Sequence, residues 1–103
     1  MANYLLLYHG GGMPETEDEK VKVMTAWGAW MQQVGDNLVD GGNPTSNVQT
    51  VNMDGVNMFS GDQVTGYSVI KADTMDDAVR CAQMVPLVSQ GGSVDVYETF
   101  NAM

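Results

Sequence analysis

Apolar and polar positions change period several times along the chain, and each change marks an element. Tyr4, Leu5, Leu6, Leu7 and Tyr8 form an unbroken run halted by Gly10, Gly11 and Gly12, which predicts a first strand over residues 3–9 ending in a turn. After Pro14 the period becomes helical. At about 100° per residue, Val23, Met24, Trp27, Trp30, Met31 and Val34 share one stripe roughly 120° wide. Glu15, Glu17, Asp18 and Glu19 crowd the start of this helix, where acids favour the positive end of the dipole, and Thr16 and Glu19 have capping-box spacing. Gly35 marks its end. Residues 37–40 and 48–52 then flank Gly41, Gly42, Asn43 and Pro44, which predicts a second strand, bent or bulged, at a sheet edge. Residues 54–61 carry turn formers and no helical period, so they read as a loop into a third strand over 65–72. Thr74 caps a second helix whose face is Met75, Ala78, Val79, Ala82 and Val85, and Pro86 ends the pattern. A last strand spans 93–100, with Val94 and Val96 on one side and Asp95, Tyr97 and Thr99 on the other.

The order βαββαβ, with a Gly-Gly pair after each helix, predicts one α+β domain over residues 1–103: a ferredoxin-like antiparallel sheet with both helices on one face. The other face is then bare. Several of its candidate residues are apolar or aromatic, and a monomer rarely leaves so large a patch in water, so pairing with a second copy is expected.

Composition narrows the partners. Only Lys20, Lys22, Lys71 and Arg80 oppose thirteen carboxylates, and a net charge of -9 repels phosphate backbones and anionic lipid alike. Neither nucleic acid nor a membrane is an expected partner. The apolar run at 4–8 is far short of the roughly 20 residues that span a bilayer, and no basic segment precedes it, so no targeting segment is expected. The single cysteine, Cys81, allows no intrachain disulfide, which fits a cytoplasmic protein.

Several short motifs occur in a telling order: Tyr4-Leu5-Leu6-Leu7-Tyr8, Trp27-Gly28-Ala29-Trp30, Asp40-Gly41-Gly42-Asn43-Pro44, Thr65-Gly66-Tyr67 and Gly91-Gly92-Ser93-Val94. Together they resemble the YCII-related (YciI-like, DGPF) domain family over nearly the whole chain. The resemblance implies a dimeric α+β barrel in which two sheets face each other, with small-molecule clefts between sheet, helix and loops. Members suspected of catalysis use a histidine on the first helix with a nearby aspartate. Here those positions fall near Met24 and Gln33, and the first helix holds no histidine. The DGPF string is also altered, since Asp54-Gly55 is followed by Val56-Asn57.

His9 is the only histidine, hence the one side chain whose ordinary titration suits proton transfer near neutrality. The expected topology gathers His9, Asp40, Lys71 and Asp95 at one end of the sheet, and Asp40 is taken as the carboxylate that orients the imidazole. Trp27 and Trp30 read first as core; should a cleft open between helix one and the sheet, they form its wall, with Asn43 and Tyr67 offering hydrogen bonds to a ligand. The nine methionines suit an adaptable interior.

Other motifs fail on their chemistry. His9-Gly10-Gly11-Gly12 matches an oxyanion-hole string, yet no serine sits in a Gly-x-Ser-x-Gly elbow. The same glycines are followed by Glu15 and an acidic helix start, which would repel a dinucleotide pyrophosphate, so no cofactor is expected. Asp36 and Asp40 echo a calcium loop, but Leu38 occupies a ligand position and Asn47 stands where the bidentate Glu belongs, so no metal is expected. Cys81 reads as a packed thiol.

Two functional classes remain. One is a homodimer with a cleft for a small organic molecule, with acid-base chemistry by His9 supported by Asp40. The other is a non-catalytic ligand-binding or interaction module in which His9 is structural.

Overall fold

A computed structural model of the chain describes residues 1–11 and 14–102. Gly12, the last glycine of the turn expected after strand one, lies outside these residues, as do Met13 and Met103. Strand β1 runs Ala2–His9, helix α1 Glu17–Val34, and a short 3-10 turn leads into β2, Leu38–Asp40. Strands β3, Gln49–Asn52, and β4, Gly55–Met58, precede β5, Val64–Ala72. Helix α2 spans Met75–Gln83, a single turn α3 spans Pro86–Ser89, and β6 spans Ser93–Glu98. Four strands form the main sheet in the order β2-β5-β1-β6, each neighbouring pair antiparallel. This is the α+β, ferredoxin-like arrangement.

Side chains alternate across the sheet, and one parity makes the core. Tyr4, Leu6 and Tyr8 of β1 and Ser68, Ile70 and Ala72 of β5 are buried beneath Trp30 and Val34 of α1, Ala78 and Ala82 of α2, and Val85 and Leu87 of the segment after it. Leu6 and Ile70 are completely sealed, each contributing about 1.5–3 kcal/mol of transfer free energy. Helix starts are fixed as their sequences imply. The Thr16 hydroxyl accepts from the Glu19 N–H at 3.1 Å while the Glu19 carboxylate accepts from the Glu15 N–H at 3.0 Å, and Thr74 accepts from the Asp77 N–H at 3.1 Å. Pro86 ends the α2 pattern and also opens α3, where its missing N–H is no loss.

The α1 stripe is only partly buried. Trp30 and Val34 are sealed, Val23, Trp27 and Met31 are half-buried, and Met24 is 74% exposed. An apolar stripe identifies the side of a helix that can pack, not how far along it another element lies beneath.

The second extended segment differs more. Only β2 belongs to the main sheet, at its edge and with a bulge between Leu38 and Asp40. Residues 49–52 leave that sheet and pair with 55–58, which the sequence had placed in a loop, as a separate two-stranded hairpin. Its turn is local chemistry: the Asn52 carboxamide accepts from the Asp54 N–H at 2.9 Å, and Gly55 has φ +118°. The ribbon is rooted on β5, where Pro44 bridges Gly66, Thr45 bonds Val64 and Thr65, and Gln63 bonds Ser46. Among the described residues no helix is long and apolar enough to cross a membrane.

Candidate functional site

The face of the sheet away from the helices carries Leu5, Leu7 and His9 of β1, Tyr67 and Val69 of β5, and Asp95 and Tyr97 of β6. Register brings them together: Leu5 stands between Val69 and Tyr97, and Leu7 between Tyr67 and Asp95. Among the described residues no element covers this face in the way the helices cover the other.

His9 ends β1 and reaches diagonally to the neighbouring strand. Its Nε2 lies 2.8 Å from Asp95 Oδ2, and its Nδ1 lies 3.3 Å from the Gln63 carbonyl oxygen. The imidazole is largely enclosed, with 18% of its side-chain surface exposed, whereas Asp95 keeps 55%. Both partners are acceptors, so the ring satisfies both only when each nitrogen carries a hydrogen. The shorter contact fixes Nε2–H on Asp95 and directs Nδ1 to the Gln63 side. The His9 carbonyl is held closely as well: a Cβ on Gly92 would sit 2.8 Å from it and 2.1 Å from Leu87 Cδ1, so this position excludes a side chain.

Asp40 is engaged elsewhere. Its Oδ1 accepts from the Gly42 N–H at 2.8 Å, closing a turn at the sheet edge, with β5 lying between its strand and β1. Gly42 has φ +77°, and a Cβ there would fall 1.6 Å from the Tyr67 carbonyl oxygen, so Asp40 holds a turn that only glycine completes. The carboxylate that meets His9 is Asp95. Lys71 is also remote: it pairs with Asn3, at the opposite end of the ladder from the His9–Val64 pair. In an antiparallel neighbour the end of β1 meets the start of β5, not its end.

The four expected ligand-binding residues fall on different sides. Trp30 is core, its Nε1–H donating to the Cys81 carbonyl at 2.9 Å. Trp27 is half-buried on the helix side, edge-on to Tyr8 at 5.3 Å and to Trp30 at 5.9 Å between ring centroids. Tyr67 lies on the open face, and Asn43 is an exposed loop residue whose backbone carbonyl accepts from the Tyr67 N–H at 3.3 Å. They do not converge on one cleft. Among them Tyr67 is the residue that shares a face with His9.

Polar groups within the core are structural. Tyr8 donates its hydroxyl to Ser68 Oγ at 2.7 Å, and Ser68 donates to the Gly41 carbonyl at 2.8 Å, tying β1, β5 and the turn after β2 together. Burial pushes the Tyr8 phenol up from its ordinary range, partly offset by the Ser68 bond. Tyr4 is raised too, by burial first and then by the Glu98 carboxylate that its hydroxyl meets at 2.8 Å. Among the described residues, no group of three or more His, Cys, Asp or Glu is placed to hold a metal ion. A cavity of about 330 Å³ lies on the helix side, where Trp30, Val34, Cys81 and Met84 form its apolar lining with Arg80 alongside. It includes none of the open-face residues.

No protein-family model matches the chain, and no curated protein matches it in sequence. Among solved structures it is similar to 5-chloro-2-hydroxyhydroquinone dehydrochlorinase (TftG) from Burkholderia phenoliruptrix, in complex with 2,5-dihydroxybenzoquinone. The TM-score is 0.59 at 16% identity, over 97% of this chain and 95% of that one. At that identity the likeness establishes a common fold from end to end.

Proposed function

We propose that the open sheet face is a site for a small organic molecule, on which His9 moves a proton while Asp95 holds the imidazole. The observation that carries this reading is the 2.8 Å contact between His9 Nε2 and Asp95 Oδ2 on a face otherwise lined by Leu5, Leu7, Tyr67 and Tyr97. A carboxylate on Nε2–H fixes the tautomer, leaves the Nδ1 lone pair as the base and offsets the charge that develops on the ring. In the step itself a substrate O–H or activated C–H bond breaks and an Nδ1–H bond forms. The electron pair stays on the substrate, which reaches Nδ1 of the neutral ring by displacing the Gln63 carbonyl from its 3.3 Å contact. Apolar and aromatic neighbours favour a flat, ring-shaped molecule.

Two such faces closing on each other in a homodimer would remove this site from bulk water, and the sheet leaves that face free for the purpose. The order of motifs along the chain and the fold shared with the dehydrochlorinase support placing the protein with the YCII-related domains. Its histidine-aspartate pair then sits on β1 and β6 instead of on the first helix.

The exposure of Asp95 favours the second reading, an interaction module in which the ion pair only ties two strands. One experiment separates the two. In calorimetric titration with 2,5-dihydroxybenzoquinone, the wild type should bind, and His9→Gln and Asp95→Asn should each weaken binding about tenfold or more. Equal affinity in all three proteins, or no binding by any, would leave the pair structural and favour the module.

A further inference from the structure

The β3–β4 hairpin has an apolar face that none of the described residues of its own chain covers. Cross-strand pairs put Val51 opposite Val56 and Gln49 opposite Met58, so Val51, Val56 and Met58 share one side. Met53 continues the Val51 parity into the turn, whereas Thr50 and Asn57 pair on the other side. The hairpin is therefore amphipathic at period two, yet Val51 is 74%, Met53 103%, Val56 65% and Met58 93% exposed. Its strands pair only with each other, and an isolated two-stranded hairpin is marginal in water. The radius of gyration is 15.1 Å, above the roughly 13 Å of a compact chain this size, in keeping with an arm that projects from the domain.

We infer that this hairpin is a dimerisation arm whose apolar face packs on a second copy of the chain. The inference rests on the sheet-face pairing proposed above and adds the element that completes it. Three features select a second copy as the occupant. The first is charge: the arm carries only Asp54, at its turn, in a chain of net charge -9, so it is a place where two such chains can touch without repulsion. The second is area. Leu5, Leu7, Tyr67 and Val69 are already half-buried and only Tyr97 is well exposed, so that face alone falls short of the roughly 800 Å² per partner typical of a stable interface, and the four arm side chains, each 65–103% exposed, add to it. The third is continuity, because the segment leading into the arm pairs with the start of β5, at the His9 end of the sheet whose face is proposed to pair.

Light scattering during size-exclusion chromatography tests this on wild type, on a Val51→Glu/Met58→Glu double variant and on Tyr97→Glu. All substituted positions are exposed, so folding is preserved and circular dichroism should coincide. The wild type should run at twice the 11.1 kDa chain mass, and the arm variant should dissociate at least about tenfold more readily. A dimeric arm variant beside a monomeric Tyr97→Glu would overturn the arm and leave sheet pairing intact. A monomeric arm variant beside a dimeric Tyr97→Glu would uphold the arm and overturn sheet pairing. A monomeric wild type, or three unaltered dimers, would overturn both.

Discussion

On β1, Tyr4, Leu6 and Tyr8 are almost sealed from water, while Leu5, Leu7 and His9, one residue further along in each case, keep part of their surface exposed. One backbone and one hydrogen-bond ladder serve both sets. The difference arises from what lies above each face: two helices and a turn over one, none of these over the other. The covered face holds its polar atoms in closed circuits such as Tyr8–Ser68–Gly41. The open face holds an imidazole and a carboxylate with unspent surface. Stability thus belongs to one parity of these strands, and the proposed chemistry to the other.

The largest test of that division is a pair of truncations. Ile70→Ala, on the covered face, should lower the unfolding free energy by about 2–5 kcal/mol through lost transfer energy and a cavity, read from the urea midpoint. Leu5→Ala at dilutions where the chain is monomeric should cost much less, since its side chain already meets water. Equal losses would show that the open face is covered in solution by the chain itself.

A smaller effect is expected at Tyr8→Phe, about 1 kcal/mol for one buried hydrogen bond. It should also change the alkaline limb of stability. The folded phenol titrates above its unfolded value of about 10, so the neutral form is the one the fold favours. That preference is fully present below the unfolded value and is lost as pH rises through the folded one. Denaturation series from pH 8 to 11 should show the wild type losing stability more steeply than the phenylalanine variant.

Smallest in stability is Asp95→Asn. The His9 pair is partly solvated, so the change should cost under about 1 kcal/mol while altering the imidazole nitrogen resonances of His9. A loss as large as that of Ile70→Ala would make the pair a structural tie.

Much of this was legible in the residues because its determinants are local. The Thr16 and Thr74 caps, the Gly35 stop and the alternation of β6 depend on neighbours a few positions away. The hairpin was missed: Val51/Met53 and Val56/Met58 alternate on either side of Asp54-Gly55, but the glycine and asparagines there read as loop. Met24 could not be assigned from its stripe, because packing along α1 is set by distant elements. For the proposed site, His9 was singled out as the lone histidine. Its carboxylate was not, since Asp40 and Asp95 both come near the end of β1 in a schematic sheet. The choice between them depends on which strand intervenes and on the Gly42 turn that engages Asp40.

The account rests on the open face being where a ligand meets the protein, and mapping by nuclear magnetic resonance tests it most directly. On adding 2,5-dihydroxybenzoquinone, the Leu5 and Leu7 methyls and the rings of His9, Tyr67 and Tyr97 should shift together and saturate with one affinity. Shifts confined to Trp30, Arg80 and Met84 around the helix-side cavity would contradict it.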